Sequence, residues 1–87
     1  MLRGIYEFRG YEEKTGKNGK NFCYLNMEDC ENGQAVRFFV PANIFEHLYN
    51  DVKSLQKGDF AEVVLNFHLN YGEWKADFVD FIKESNE

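Results

Sequence analysis

The most distinctive chemistry in this sequence is a basic, flexible run beside aromatic residues. Residues 14–20 contain three lysines and neither an acidic nor an apolar side chain. The lysines are Lys14, Lys17 and Lys20. Phe22 and Tyr24 follow at once. Lysines pair with the phosphates of an unpaired nucleic-acid strand, and flat aromatic side chains stack on its bases. The run, called the finger below, therefore indicates a candidate site for single-stranded nucleic acid.

Strand periodicity predicts that the neighbouring aromatic residues point away from the core. Residues 21–28 read as a strand whose apolar face consists of Cys23, Leu25 and Met27. Phe22 and Tyr24 then lie on the opposite face. A strand over residues 34–40 repeats the pattern, with Arg37 and Phe39 pointing outward. The predicted nucleic-acid site is therefore Lys14, Lys17, Lys20, Phe22, Tyr24, Arg37 and Phe39.

Two other interpretations of this surface stay open. A loop of Lys, Gly and Asn is also typical of a soluble hairpin tip. Exposed aromatic side chains need a covering partner, which could be a second copy of the chain or another protein. The alternative function is therefore a protein–protein interaction module that uses the same aromatic face.

Composition bounds the remaining function classes. The 87 residues carry a net charge of −5, and 17% are aromatic and 44% hydrophobic. This length fits a single domain over residues 1–87, and this hydrophobicity excludes intrinsic disorder. Residues 1–40 hold six basic and six acidic side chains, so residues 41–87, with four basic and nine acidic, carry the whole net charge. The finger is thus a positive protrusion on an acidic body.

Catalysis is not expected from these residues. The chain has no GxSxG, P-loop or HExxH motif. Cys23 is a predicted core residue, and Cys30 lies in an acidic turn that raises a thiol pKa. His47 and His68 are too far apart in the sequence for a typical zinc site. We therefore expect no enzyme activity, no cofactor and no metal.

The sequence also bears on location. No apolar run approaches the ~20 residues of a membrane span, and the N-terminus lacks the apolar stretch of a signal peptide. Two cysteines make no disulfide framework, so we expect a reducing cytoplasm and no membrane partner.

The element order predicts the fold. Strands are expected over residues 2–13, 21–28, 34–40, 59–69 and 74–83, with one helix over residues 43–57. Three strands, a helix and two strands is the order of the five-stranded Greek-key OB barrel. A β-sandwich or an SH3-like barrel with an inserted helix is the competing fold. Gly4 and Gly10 suit a bulge or tight bend in the first strand, and apolar residues on both faces of the last strand also suggest a bulge.

The helix has a predicted start and a predicted buried face. Asn43 is an N-cap candidate, and Glu46 three residues later completes a capping-box pattern. Gly58 fits the residue that stops a helix. The apolar stripe is Phe45, Leu48, Tyr49, Val52 and Leu55.

The segment over residues 14–26 resembles the DNA-binding wing of the small single-stranded DNA-binding proteins of filamentous bacteriophages. That wing is a basic, glycine-containing hairpin that ends in Gly-Lys and is followed by an aromatic residue and Leu-Asn. Residues 55–63 and the last hairpin, with Gly72, resemble later parts of the same proteins. The resemblance implies phosphate contacts for Lys17 and Lys20, and base stacking for Phe22 or Tyr24. It also implies a symmetric dimer, binding to single-stranded DNA without sequence specificity, and a role in replication of phage or plasmid DNA. The sequence leaves RNA open as a second ligand.

The number of large apolar side chains also favours a homodimer. Fifteen aromatic residues exceed what an 87-residue interior easily holds. The expected interface uses the fifth strand, through Val79 and Phe81, or the fourth, through Phe60 and Val64.

Overall fold

The computed structural model describes residues 2–84, which form five strands and one helix. The elements are β1 (Leu2–Thr15), β2 (Asn21–Asp29), β3 (Ala35–Val40), α1 (Ala42–Ser54), β4 (Phe60–Asn70) and β5 (Glu73–Lys83). All strand pairs are antiparallel, and the strands form one sheet in the order β3-β2-β1-β4-β5. The prediction of a mainly β fold with a helix between the third and fourth strands is confirmed.

The core lies on one face of this curved sheet, where α1 packs against β2. Alternation along β2 buries Cys23, Leu25 and Met27, as the period of two predicts. The helix adds side chains at helical spacing, and its buried residues are Phe45 and Val52, with Leu55 just beyond its end. Leu2 is an exception: alternation places it on the same face of β1 as Tyr6 and Phe8, which pack in the core, but it lies at the start of the strand and is exposed.

In two strands a bulge changes which face of the sheet the side chains point toward. The β1–β2 register shifts between Phe8 and Gly10, so Phe8 and Tyr11 both pack toward the core although they are three residues apart. The bulge predicted at Gly10 is confirmed, whereas Gly4 lies in a regular ladder opposite Val63. The β4–β5 register shifts at Val64 and Leu65 and leaves Val79 as the extra residue of β5. This shift accounts for the mixed faces of that strand.

The sheet is not closed into a barrel. Its edge strands, β3 and β5, touch, but no backbone ladder joins them in the described part of the chain. An open groove of about 720 Å³ lies along this seam. Its apolar lining includes Val36, Phe38, Ile44, Leu65 and Phe78. The competing β-sandwich needs two sheets, and residues 2–84 form one.

The predicted helix boundaries are wrong at both ends. Pro41 occupies the N-cap position and no side chain caps the helix, so Asn43 is already inside the first turn. The amides of Ile44 and Phe45 both donate to the Pro41 carbonyl, because the fixed φ of proline suits a helix entry. The helix ends at Ser54, where the Leu55 amide donates to Val52, and Gly58 bends the connection to β4 with a φ of +99°.

Replacing Asn43 with alanine should therefore be nearly neutral. The side chain is exposed and makes no capping hydrogen bond, and alanine has the higher helix propensity. We expect the free energy of unfolding, measured by urea denaturation, to stay within about 0.5 kcal/mol of the wild type. A decrease of the free energy of unfolding by more than about 1 kcal/mol would show that the Asn43 side chain does cap the helix.

Candidate nucleic-acid interface

The finger is an ordered hairpin loop between β1 and β2. The Gly16 amide donates to the Lys20 carbonyl at 2.8 Å, and the Gly19 amide donates to the Gly16 carbonyl at 3.0 Å. Gly19 has a φ of +79°, which glycine adopts without strain. The Asn18 side chain accepts from the Lys20 amide at 3.1 Å. The backbone thus fixes the loop and leaves the lysine side chains out of its hydrogen bonds.

A series of side-chain hydrogen bonds lies at the base of the finger, where it joins β1 and β2. The Thr15 hydroxyl donates to the Asn21 amide oxygen at 2.8 Å, and the Asn21 amide nitrogen donates to Glu13 at 2.9 Å. Glu13 also accepts from Lys53 of α1 at 2.8 Å, and this bond raises the pKa of Lys53. The finger is therefore tied to the helix through Glu13, a link that the sequence analysis did not predict.

The three finger lysines carry uncompensated charge. Lys14, Lys17 and Lys20 are exposed, and none forms an ion pair within residues 2–84. Lys14 lies directly opposite Phe22 in the β1–β2 ladder, so the two share one face of the sheet. The positive charge and the predicted aromatic surface are thus adjacent.

The predicted aromatic residues form one cluster on the outer face of the sheet. Ring centroids are 5.9 Å apart for Phe22 and Tyr24, 5.6 Å for Phe22 and Phe39, and 5.5 Å for Tyr24 and Phe39. Tyr24 and Phe39 are direct partners in the β2–β3 ladder. Phe39 is 50% exposed, and the other two are half-buried by their neighbours. These three residues are called the aromatic triad.

Arg37 belongs to this surface but is not an unpaired cation. Its guanidinium carbon lies 4.0 Å from the Tyr24 ring centroid, a cation–π contact. Its Nη2 atom is 2.6 Å from a carboxylate oxygen of Glu12, which lies opposite Tyr24 in the ladder. Sequence reasoning missed this role of Glu12, because the pairing depends on the strand register.

The same pairing repeats across the outer face. Arg9 bonds Glu28 at 2.6 Å and approaches Glu7 at 3.5 Å, and Arg3 bonds Glu62 at 3.0 Å. The arginines of β1 and β3 are thus neutralised by carboxylates. Unpaired positive charge on this side of the molecule is concentrated in the finger.

Neither cysteine is set up as a nucleophile. Burial raises the pKa of Cys23 to about 12. Desolvation, with the carboxylates of Glu7, Asp29 and Glu28, raises the pKa of the exposed Cys30 thiol. Both shifts lower the thiolate fraction at neutral pH, as the acidic turn predicted for Cys30. His68 of β4 pairs with Asp77 of β5 at 2.8 Å, whereas Cys23 lies on β2 and Cys30 directly follows that strand.

The β4–β5 hairpin extends beyond the sheet as an arm over residues 66–77. The last β1–β4 pair is Leu2 with Leu65, so the arm has no third strand beside it. One face carries the apolar side chains Phe67, Leu69, Trp74 and Ala76. The opposite face carries the polar side chains Asn66, His68, Lys75 and Asp77. Leu69 and Trp74 are 60% and 72% exposed, so the apolar face of the arm is uncovered.

Comparisons of the chain with models of protein families, with curated proteins and with solved structures found no match. The function is therefore inferred from the geometry of the finger and the aromatic triad. The one helix in residues 2–84, Ala42–Ser54, is too short and too polar to cross a membrane.

Proposed function

We propose that this protein binds single-stranded DNA without catalysis and largely without sequence specificity. Two observations together carry the proposal: the finger holds three unpaired lysines, of which Lys14 lies directly opposite Phe22, and three aromatic rings cluster on β2 and β3. In this arrangement Lys14, Lys17 and Lys20 bind phosphates. The triad supplies stacking surfaces for bases, which every base can use because each has a π face.

The fold proposed with this function is an OB barrel with an open seam. Its support is the order of three strands, a helix and two strands, together with contact between β3 and β5 at the sheet edges. OB folds are partly open five-stranded Greek-key barrels. Their strand 2–3 surface is the usual site for oligonucleotides, and the aromatic triad lies on β2 and β3.

A homodimer is part of the proposal, with the arm as its interface. Two of the residues expected at the interface, Phe81 and Val64, cannot supply it, because they are buried in the core at 7% and 5% exposure. Val79 and Phe60 remain partly exposed, but they are not on the arm. The uncovered apolar face of the arm, with Leu69 and Trp74, is the larger surface in need of cover. The arm as a whole carries mixed charge, from Glu73, Lys75 and Asp77, which suits a protein partner better than phosphates.

A cytoplasmic role in replication of phage or plasmid DNA completes the proposal. Its support is the resemblance of residues 14–26 to the wing of the phage proteins. RNA binding through the same stacking and phosphate contacts is compatible with it.

The second candidate is a protein-interaction module that uses the aromatic triad. The ion pairs beside the triad favour it, because Arg37 with Glu12 and Arg9 with Glu28 leave that surface neutral. A protein partner needs aromatic anchors in a desolvated centre, whereas nucleic acid needs unpaired cations. The finger lysines favour nucleic acid.

Salt dependence of binding separates the two candidates. We expect a fluorescein-labelled (dT)20 oligonucleotide to bind, as measured by anisotropy, and the log of affinity to fall against log salt with a slope of about −2. Three phosphate contacts at roughly 0.7 each give this value for a single strand. The absence of binding at about 50 mM salt would reject DNA and favour the protein-interaction module.

The Glu12 carboxylate should lower the affinity of the protein for single-stranded DNA. Replacing Glu12 with glutamine releases Arg37 for phosphate and removes a negative charge opposite Tyr24. We expect several-fold tighter (dT)20 binding at low salt and a slope steeper by about 0.7. As a control, Glu62→Gln acts on the Arg3 pair, which lies on the β1–β4 side of the sheet, and should change the slope little. Equal slopes for both variants would show that Arg37 does not reach phosphate.

A further inference from the structure

A groove lies between the finger and α1, on the opposite side of the finger from the aromatic triad. Its volume is about 540 Å³, within the range of small-ligand sites. The finger side is formed by Gly19, Lys20 and Asn21, and the helix side by residues that include Glu46, Tyr49 and Asn50. Tyr49 and Asn50 lie three and four positions after Glu46, so all three face the same side of the helix.

The helix wall offers a fixed aromatic ring. Tyr49 is 42% exposed, and its ring centroid is 5.4 Å from that of Phe45, which is buried beneath it. The Lys53 ammonium lies 5.0 Å from the Tyr49 centroid and is itself held by Glu13. These contacts hold the ring in place while leaving part of it accessible, as a stacking site requires.

The polar groups of the groove are not engaged with each other. Lys20 and Glu46 have no ion pair, and the Asn50 amide makes no side-chain hydrogen bond, within the described ranges of the chain. The Asn21 amide, by contrast, is committed to Thr15 and Glu13. The groove thus combines one available cation, one available carboxylate and an aromatic ring.

We propose that this groove holds one nucleotide of the bound strand and prefers a base with an exocyclic amino group. The base stacks on Tyr49, Lys20 pairs with its phosphate, and the Glu46 carboxylate accepts a hydrogen bond from the amino group. Carboxylates accept in this way from the N4 group of cytosine. Thymine presents carbonyl oxygens at the corresponding edge, and these repel a carboxylate.

The position of Lys20 makes the groove continuous with the triad. Lys20 is two residues from Phe22, and β2 begins between them, at Asn21. A DNA strand that stacks on the triad can therefore cross the finger and enter the groove. This inference rests on the proposed DNA-binding function, to which it adds a base preference.

The test compares (dT)12 with (dC)12 by anisotropy, using the full chain and three variants. The wild type should bind (dC)12 about 5-fold more tightly. Glu46→Gln should remove most of this preference, because the glutamine amide also offers a donor to thymine. Tyr49→Ala should weaken both oligonucleotides by about 5-fold or more, and Tyr49→Phe, which keeps the ring, should bind like the wild type.

The outcomes separate this inference from the function on which it rests. Equal affinities for the two oligonucleotides, unchanged by Glu46→Gln, overturn the base preference even if Tyr49→Ala is unstable, because Glu46 is exposed and unpaired. Binding that depends on Phe39 but not on Tyr49 leaves the DNA-binding function standing and removes the groove from it. Failure of the wild type to bind either oligonucleotide rejects both.

Discussion

Reversing the charge of Lys17 and Lys20 together should lower the affinity for (dT)20 by about 100-fold at physiological salt. The change Lys17→Glu with Lys20→Glu turns the finger from three positive charges to one positive and two negative. The remaining body is acidic, and the arginines of the outer face are already paired with carboxylates. No other cluster of unpaired cations in residues 2–84 can take over the phosphates.

The fold should survive this double change. The hydrogen bonds that shape the finger use the Gly16, Gly19 and Lys20 backbone and the Asn18 side chain, not the lysine ammonium groups. Thermal unfolding followed by circular dichroism should therefore match the wild type within a few degrees. A matched control is Lys57→Glu with Lys75→Glu, which changes the net charge equally but lies outside the finger and should weaken binding only a few-fold. Wild-type affinity of the finger variant would show that the finger is a soluble loop and would favour the protein-interaction module.

Truncating the aromatic triad should weaken binding in a different way. Base stacking is worth about 1–3 kcal/mol for each aromatic residue replaced by alanine. Phe39→Ala is the cleanest test, because Phe39 is half exposed and its loss opens no cavity in the core. We expect its affinity for (dT)20 to fall at every salt concentration while the salt slope stays near the wild-type value.

The losses of affinity caused by replacing different residues of the triad should not be additive. The three rings contact one another at 5.5 to 5.9 Å, so removing Phe22 or Tyr24 also releases the remaining rings and the Arg37 guanidinium stacked on Tyr24. A Phe22→Ala, Phe39→Ala double variant should therefore lose less than the sum of the single losses. Tyr24→Phe keeps the ring and serves as the control. A change of slope in Phe39→Ala, with affinity retained at low salt, would contradict a stacking role.

The sequence was informative where local pattern decides structure. Alternation identified the buried face of β2 and the outward face of Phe22 and Tyr24, and the glycine at position 10 marked a bulge. Contacts between residues that are distant in the sequence could not be predicted from such local patterns. The Arg37–Glu12 contact depends on the register of three strands, and the groove at Tyr49 depends on how α1 docks against β2. The helix start was missed because Pro41, rather than Asn43, occupies the N-cap position, where no side chain caps the helix.

The position of Trp74 makes its fluorescence a reporter of the proposed dimer. Trp74 is the only tryptophan of the chain and lies on the apolar face of the arm, whereas the aromatic triad lies on the outer face of the sheet. Transfer of its indole from water to a dry interface shifts the emission maximum to shorter wavelength. Emission at 295 nm excitation should therefore move to longer wavelength on dilution and follow subunit dissociation. Tyrosine emission should follow DNA stacking separately, so that one sample yields both equilibria.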